Sequence, residues 1–482
     1  MSTAIENLQP QELWRNFTKL NAVPRASKKE EQVIEFMLDF GRGLGLQTQR
    51  DEIGNVVIKK PATPGYEQSP IVILQSHLDM VHQKNNDTDF DFATQGIDMY
   101  VEDDWVRARG TTLGADNGLG VAAIMALLES TDIPHPALEA LFTIDEETGM
   151  TGVKHLDGSM LQGSILLNLD TEEDHVFGIG CAGGVDVSAS REFELQEIDD
   201  DENFGLQISI KGLTGGHSGM EIHKGLGNSN LLLAEMLNAI SSNFRIHSID
   251  GGGLRNAIPR EATALIAVED VSSAEREVEE KAWELKKKYA EIDPNFTVLI
   301  DAQSEAPEYG LSVADSRKLV NMLLGAKNGV YSMDPNIEGL VQTSNNVARV
   351  ELNDGHLKIH NLTRSSSEES KMELANSLKE NFDTMDLHTT FEGSYPGWQP
   401  NPQSQIVRHM DGIYRDMFGE APTIEACHAG LECGLLGERK QGLDMVSFGP
   451  NILGAHSPDE RASIKSTQKF WDFLLRILRD MR

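Results

Sequence analysis

Cysteine is almost absent from this chain: Cys181, Cys427 and Cys433 are the only three in 482 residues. An odd, low number leaves no disulfide framework and points to a reducing compartment. Long apolar runs are missing too, so no segment of the sequence is expected to span a bilayer. The N-terminus, Met1-Ser2-Thr3-Ala4-Ile5-Glu6-Asn7, has no basic stretch followed by an apolar core. No signal peptide is therefore expected, and the default location is the cytoplasm. Basic residues are in deficit, with 42 Lys and Arg against 76 Asp and Glu and a net charge of −34. Such a surface repels phosphate backbones and anionic lipid, which argues against nucleic-acid and membrane partners. Most of this acidity reads as solubility; the sharper alternative is a field that attracts cations.

What is present is a soluble globular composition, 39% hydrophobic and 24% charged, over a length that suits two or three domains. The early part alternates. Helices are expected over 10–20 and 28–44, a strand over 55–59, a strand over 71–75, a helix over 118–130, and strands over 138–144 and 165–169. That β/α alternation predicts an α/β fold with a mainly parallel central sheet flanked by helices. The texture changes after Gly183-Gly184. Residues 185–395 read as a separate inserted α/β domain, with strands, the charged helix 272–290 and a second αβ set that together suggest two similar halves without a clear sequence repeat. The last part returns to the first style. The expected catalytic domain is thus discontinuous, 1–184 with 396–482.

Carboxylates and imidazoles punctuate the alternating part. Ile71-Val72-Ile73-Leu74-Gln75 leads into Ser76-His77-Leu78-Asp79; Asp116 sits in Leu113-Gly114-Ala115-Asp116-Asn117-Gly118; Leu141-Phe142-Thr143-Ile144 runs into Asp145-Glu146-Glu147; Asp170 follows Ile165–Leu169; and His456 lies in Gly454-Ala455-His456-Ser457-Pro458. In an open α/β sheet the C-terminal edge of the strands is where ligands bind. Two divalent cations need oxygen and imidazole ligands with one group bridging. His77, Asp116, Glu147, Asp170 and His456 fit, with Asp116 bridging, His77 and Asp170 on one ion, and Glu147 and His456 on the other. Three carboxylates and a hydroxide would balance two Zn²⁺. Asp79 suits orientation of the His77 imidazole, and Glu146 suits a general base for a metal-activated water. A lone Glu-Glu pair or His-x-Asp is usually surface; the set in this order is what is specific. The glycines about Asp116 carry no Gly-Lys-Ser/Thr, which discounts a nucleotide loop.

Together these motifs resemble the aminoacylase/carboxypeptidase clan of co-catalytic di-zinc peptidases over nearly the whole length. Ser76–Val81, Gly114–Gly118, Asp145–Gly149 and His428-Ala429-Gly430-Leu431-Glu432-Cys433-Gly434 are most similar to its aminoacyl-histidine dipeptidase branch. The resemblance implies the ligand set above, Glu146 as base, two zinc ions (cobalt or manganese as substitutes), a lid domain inserted in the catalytic domain, and a homodimer. It also implies that His217, in Gly215-Gly216-His217-Ser218-Gly219, stabilises the oxyanion, and that Asn256 and Arg364 clamp substrate. An Arg can hold a free α-carboxylate in a bidentate pair. Glu432 is expected beside the pocket, meeting the substrate amino group. Cys427, His428 and Cys433 are not read as another metal site, and Cys181 is read as core. The implied activity is hydrolysis of unblocked dipeptides, aminoacyl-histidines such as carnosine included. The alternatives are an N-acyl-amino-acid deacylase or aminopeptidase on the same metals, and a non-enzymatic binding protein on the same fold.

Overall fold

The computed structural model describes residues 2–199 and 203–482. Its chain divides into two compact units. One runs to Gly180 and resumes over Pro400–Ala426 and Leu431–Arg482; the other holds Cys181–Gln399 and Cys427–Gly430.

In the first unit, four runs rich in Val, Ile and Leu lie side by side and parallel, in the order Leu138–Thr143, Val72–His77, Ile165–Asn168, Asp444–Ser447. Every residue of Val72–His77 and Leu138–Thr143 is buried. That is the mark of parallel strands covered on both faces, and it is why Val72-Ile73-Leu74 and Ala140-Leu141-Phe142 are consecutive apolar residues rather than alternating ones. The eight-stranded sheet is completed by Gln47–Arg50 and Val56–Lys60 on one side and Val176–Cys181 and Thr423–Cys427 on the other. Val56–Lys60 runs antiparallel to Leu138–Thr143, and Val176–Cys181 antiparallel to Asp444–Ser447. The centre is therefore parallel, as the alternation of strand and helix requires, while the flanks are not.

Helix Ala115–Glu129 is buried along nearly its whole surface, with only Asp116 and Glu129 left partly open. Its Ala-, Leu- and Met-rich composition follows from that, since no face meets water. Helix Ile464–Asp480 is amphipathic instead. It buries Phe470, Trp471, Phe473, Leu474, Ile477 and Leu478 and starts at Ser463, whose side chain accepts the N–H of Ser466. Its Phe473 ring stacks on Phe177 at 5.5 Å and meets Tyr414 and Phe448 edge-on at 5.5 and 5.6 Å. This aromatic cluster holds the late helices to a strand that precedes them by more than two hundred residues. A small second sheet, not expected from the sequence, pairs Arg461–Ser463 with Trp105–Ala108, and so ties the segment carrying His456 to the segment preceding Asp116.

The second unit is built on a nine-stranded sheet over a large apolar core. Two sets of elements in βαββαβ order supply eight of its strands, and Gly329–Met333, paired with Val341–Asn353, is the ninth. The first is Phe204–Lys211, Ser229–Ala239, Phe244–Gly252, Ala262–Val268, Val271–Tyr289 and Thr297–Gln303. The second is Gly183–Glu192, Val313–Gly325, Val341–Asn353, His356–Ser365, Glu368–Asp383 and His388–Tyr395. The sets join where Ile249–Gly252 pairs antiparallel with Arg349–Leu352. Strand Val341–Asn353 starts before its apolar alternation does. Its first half, Val341-Gln342-Thr343-Ser344-Asn345-Asn346, lacks the apolar alternation of a strand. Polar side-chain bonds support its pairing: Thr363 Oγ1 donates to Asn345 Oδ1 at 3.0 Å, and Asn345 Nδ2 to Asn361 Oδ1 at 3.3 Å.

Phe177 is 1% exposed at the centre of the aromatic cluster. Truncation of a buried Phe leaves a cavity that costs about 3–5 kcal/mol. Phe177→Ala is expected to lower stability by that amount in denaturant unfolding followed by tryptophan fluorescence. A loss below about 1 kcal/mol would mean the cluster does not hold the unit together.

Candidate active site

The site grows from the ends of the parallel strands. His77 is the last residue of Val72–His77, opposite Thr143. Its Nε2 lies 3.2 Å from Asp116 Oδ1 and 3.4 Å from Asp170 Oδ1. His456 Nε2 lies 3.2 Å from the other oxygen, Asp116 Oδ2, and 3.0 Å from Glu147 Oε2. The two oxygens of one carboxylate thus face two different imidazoles, each in turn beside a second acid. Donors about 2.0–2.1 Å from a tetrahedral ion lie roughly 3.3 Å from one another. These spacings fit that donor set twice, with Asp116 common to both. Glu147 Oε1 is buried without a hydrogen-bond partner, which also fits a cation rather than a protein donor.

Asp79 is buried behind the cluster. Its Oδ1 is 3.4 Å from His77 Nδ1, and it accepts the Ser27 hydroxyl at 2.9 Å. It also accepts the backbone N–H groups of Glu146 and Glu147 at 3.0 and 3.3 Å. One carboxylate therefore orients an imidazole and pins the turn that carries Glu146. That turn begins at Asp145, in the left-handed region at φ 52°, whose side chain accepts the hydroxyls of Thr148 and Thr151. Glu146 offers an oxygen within 4.8 Å of donor atoms of His77 and Glu147. Asn117 donates to the Leu169 carbonyl at 2.8 Å and to Asp170. A Cβ on Gly120 would sit 2.3 Å from Asn117 Oδ1 and 2.7 Å from the Leu169 carbonyl, so only glycine lets the helix approach this strand end.

The crowding of acids sets the electrostatics. Burial raises Glu146 well above the usual carboxylate range, and Asp170, Glu432 and Glu147 add to it. Burial likewise raises Glu172 to about 8, with Asp116 and Asp170 adding to it. Asp116 is held low despite its burial, by hydrogen bonds to His456 and His77. His456 is pushed up to about 11 by its hydrogen bonds to Asp116 and Glu147.

Glu432 and three residues of the second unit complete the expected set. Glu432 opens helix Glu432–Arg439 but is 1% exposed, and its Oε2 accepts Gln75 Nε2 and Thr143 Oγ1, both at 2.7 Å. Its other oxygen, Oε1, is buried without a hydrogen-bond partner. His217, Asn256 and Arg364 belong to the second unit. His217 pairs with Ala257, and the Ser218 N–H donates to the Asn256 carbonyl at 2.8 Å. His217 Nδ1 accepts the N–H groups of Gly219 and Met220, both at 3.1 Å, which leaves its proton on Nε2. Burial and the nearby Arg364 charge lower its pKa, so the imidazole is neutral. Arg364 is 5% exposed; its Nη1 donates to the Tyr395 hydroxyl at 3.0 Å, and its Nε has no partner. Cys181 is buried, as expected of a core residue.

The model of peptidase family M20/M25/M40 matches residues 73–480. The chain belongs to that family. Divalent-metal binding comes with membership, and the donor set of His77, Asp116, Glu147, Asp170 and His456 suits it. Over 483 aligned residues the chain is 41% identical to the cytosol non-specific dipeptidase of Escherichia coli K12, covering 99% of each. Aminoacylhistidine dipeptidase from Vibrio alginolyticus superposes with a TM-score of 0.94 at 38% identity, over 99% of this chain and 98% of that one. Aminopeptidase PepT from Bacillus cereus shares the fold, with a TM-score of 0.57 at 16% identity over 98% and 99%. The central strands and helices are those of an M20 peptidase.

Sequence reasoning missed Glu172, Ser27, Arg25 and Glu460. Glu172 and Glu460 lie two and four residues past Asp170 and His456, whereas Arg25 and Ser27 come well before the first motif and carry no positional signal. The raised pKa of His456 fixes a sign. Its contribution to stability is complete below the ordinary imidazole value of 6.5 and is lost as pH rises through about 11. Glu172 and Glu432, each raised to about 8 from 4.5, lose stability in the same direction over the lower window. In chelator-treated protein the melting temperature is expected to fall with rising pH, and His456→Ala to flatten the part above about pH 8. An unchanged slope in that variant contradicts the ion-pair reading.

Proposed function

We propose that this chain is a cytoplasmic metallodipeptidase that hydrolyses unblocked dipeptides, aminoacyl-histidines such as carnosine among them. The observation that carries the reading is the division of Asp116 between two imidazole–carboxylate sets. Full-length similarity to a cytosol non-specific dipeptidase and to an aminoacylhistidine dipeptidase supports it.

In this reading His77, Asp170 and Asp116 hold one zinc ion, and Asp116, Glu147 and His456 hold the other, with cobalt or manganese as substitutes. When bound, the pair acidifies a water and polarises the scissile carbonyl. Glu146 takes the water's proton and delivers it to the leaving amine. Burial raises its pKa, which favours the proton-carrying form it passes through. Asp79 keeps the His77 ring in place and fixes the backbone of Glu146. The inserted unit is read as a lid. His217, neutral with its proton on Nε2, is a donor ready for an oxyanion without bringing a further charge. Arg364, with an unspent Nε–H, is suited to a substrate carboxylate, and Asn256 to the peptide. A carboxylate clamp explains a preference for dipeptides, since a longer peptide has an amide at that place. A homodimer is the assembly favoured by family resemblance.

Zinc-loaded protein is expected to cleave β-alanyl-histidine and to lose this on chelation. Glu146→Gln should lower kcat by about 10²–10⁴-fold while binding metal normally. Retention of full kcat in that variant would sink the mechanism. Faster cleavage of N-acetylated amino acids than of free dipeptides would favour the deacylase instead.

A further inference from the structure

Two oppositely charged side chains are buried among the ligand-bearing segments, and neither belongs to the donor set. Arg25 is 1% exposed and Glu460 is 2% exposed. A buried charge costs several kcal/mol unless its hydrogen-bonding capacity is met. Glu460 meets its capacity on main chain, and Arg25 does so with Nη1 and Nη2 while its Nε has no partner.

Glu460 accepts four consecutive backbone N–H groups. Its Oε2 takes Leu113 at 2.6 Å and Gly114 at 2.9 Å; its Oε1 takes Ala115 at 2.7 Å and Asp116 at 3.3 Å. It lies four residues after His456, in a loop closed by the Ser457 N–H on the Gly454 carbonyl and the Glu460 N–H on the Ser457 carbonyl. Arg25 works on the opposite polarity. Its Nη1 donates to the carbonyls of Leu78 and Asp79 at 3.1 and 3.2 Å, and its Nη2 to Asn21 Oδ1 at 2.9 Å and to the Gly114 carbonyl. Gly114 therefore receives both charges, one on its N–H and one on its carbonyl. The glycines about Asp116 make room for this. A Cβ on Gly114, at φ 69°, would lie 2.5 Å from Arg25 Nη2, and one on Gly118 2.6 Å from it.

We infer that Arg25 and Glu460 are positioning residues that lock the His77–Asp79 turn, the Asp116 loop and the His456 loop into one frame, and so set the place of the shared carboxylate. Neither touches a reacting atom. Glu460 couples the Asp116 backbone to the loop of the imidazole that faces Asp116 Oδ2. Arg25 couples the same loop to the turn of the imidazole that faces Oδ1. A shift in either link moves one half of the donor set relative to the other. The chemistry explains the residue types. A glutamine at 460 would turn an amide N–H₂ on N–H donors. A lysine at 25 lacks the planar fork that reaches carbonyls of two segments at once.

The inference rests on the proposed ligand set, and Co²⁺ binding followed by its visible absorption separates the two. Asp116→Asn should abolish the two-ion spectrum; if it binds Co²⁺ like the unaltered protein, the ligand set itself fails. Glu460→Gln and Arg25→Lys should each weaken Co²⁺ binding by about 10–100-fold, change the absorption band, and lower kcat for a dipeptide with KM little altered. Circular dichroism checks that they fold. Folded variants with lowered melting temperature but unaltered Co²⁺ affinity and spectrum would show a merely structural buried pair and overturn the inference. If Glu460→Gln does not fold, Glu460→Asp keeps the charge and retracts it by one methylene. That variant should show the same spectral change in smaller measure, and an unaltered spectrum there also overturns the inference.

Discussion

Negative charge gathered in a place with little water is the constraint from which the rest of the catalytic unit follows. Asp79, Asp116, Glu146, Glu147, Asp170, Glu432 and Glu460 crowd the end of four parallel strands. Left unpaired, such carboxylates would repel one another and pay the cost of desolvation. The structure answers each differently. Asp79 and Glu460 are satisfied by backbone N–H groups and, for Asp79, a hydroxyl. Glu432 is raised to about 8 by burial and engaged by Gln75 and Thr143. Asp116 faces two imidazoles. Glu147 keeps one oxygen without any protein partner. What remains unbalanced is what a divalent cation neutralises.

That division of labour decides the local geometry. The acids met by main chain are also the ones that hold loops still. Asp79 fixes the turn of Glu146, and Glu460 fixes the start of helix Ala115–Glu129. The acids left to imidazoles and cations are those at the tips of the strands. A parallel sheet suits this, because its strands all end on the same edge and deliver their following residues to one place. Gly120 lets the buried helix come close enough for Asn117 to reach the Leu169 carbonyl.

The inserted unit obeys a different rule. Its sheet is antiparallel, built from two sets of the same element order that share no evident sequence pattern. Similar strand pairing arises from different residues: Val341–Asn346 is supported by amide and hydroxyl bonds where other strands use apolar alternation. This is why the start of that strand was not legible. The neutral tautomer of His217 was equally hidden, since it depends on two backbone N–H groups two and three residues ahead folding back on Nδ1.

By itself the sequence determined the parallel centre, because strands and helices alternate there and Val72-Ile73-Leu74 and Ala140-Leu141-Phe142 are consecutive apolar residues, as cover on both faces requires. It also determined which residues stand at strand ends, since a residue following such a run leaves the sheet at its edge. The meeting of His77, Asp116, Glu147, Asp170 and His456 could be expected from that logic and from resemblance. Tertiary structure alone decided what holds them there. Arg25 and Glu460 are separated by most of the chain and meet the same glycine through its backbone. The side sheet that brings Arg461–Ser463 to Trp105–Ala108 is long-range pairing of short strands. Glu432 turned inward because the first residue of a helix is aimed by the packing of that helix. Backbone hydrogen bonds and long-range packing carry no residue pattern of their own, so they become visible only when the chain is folded.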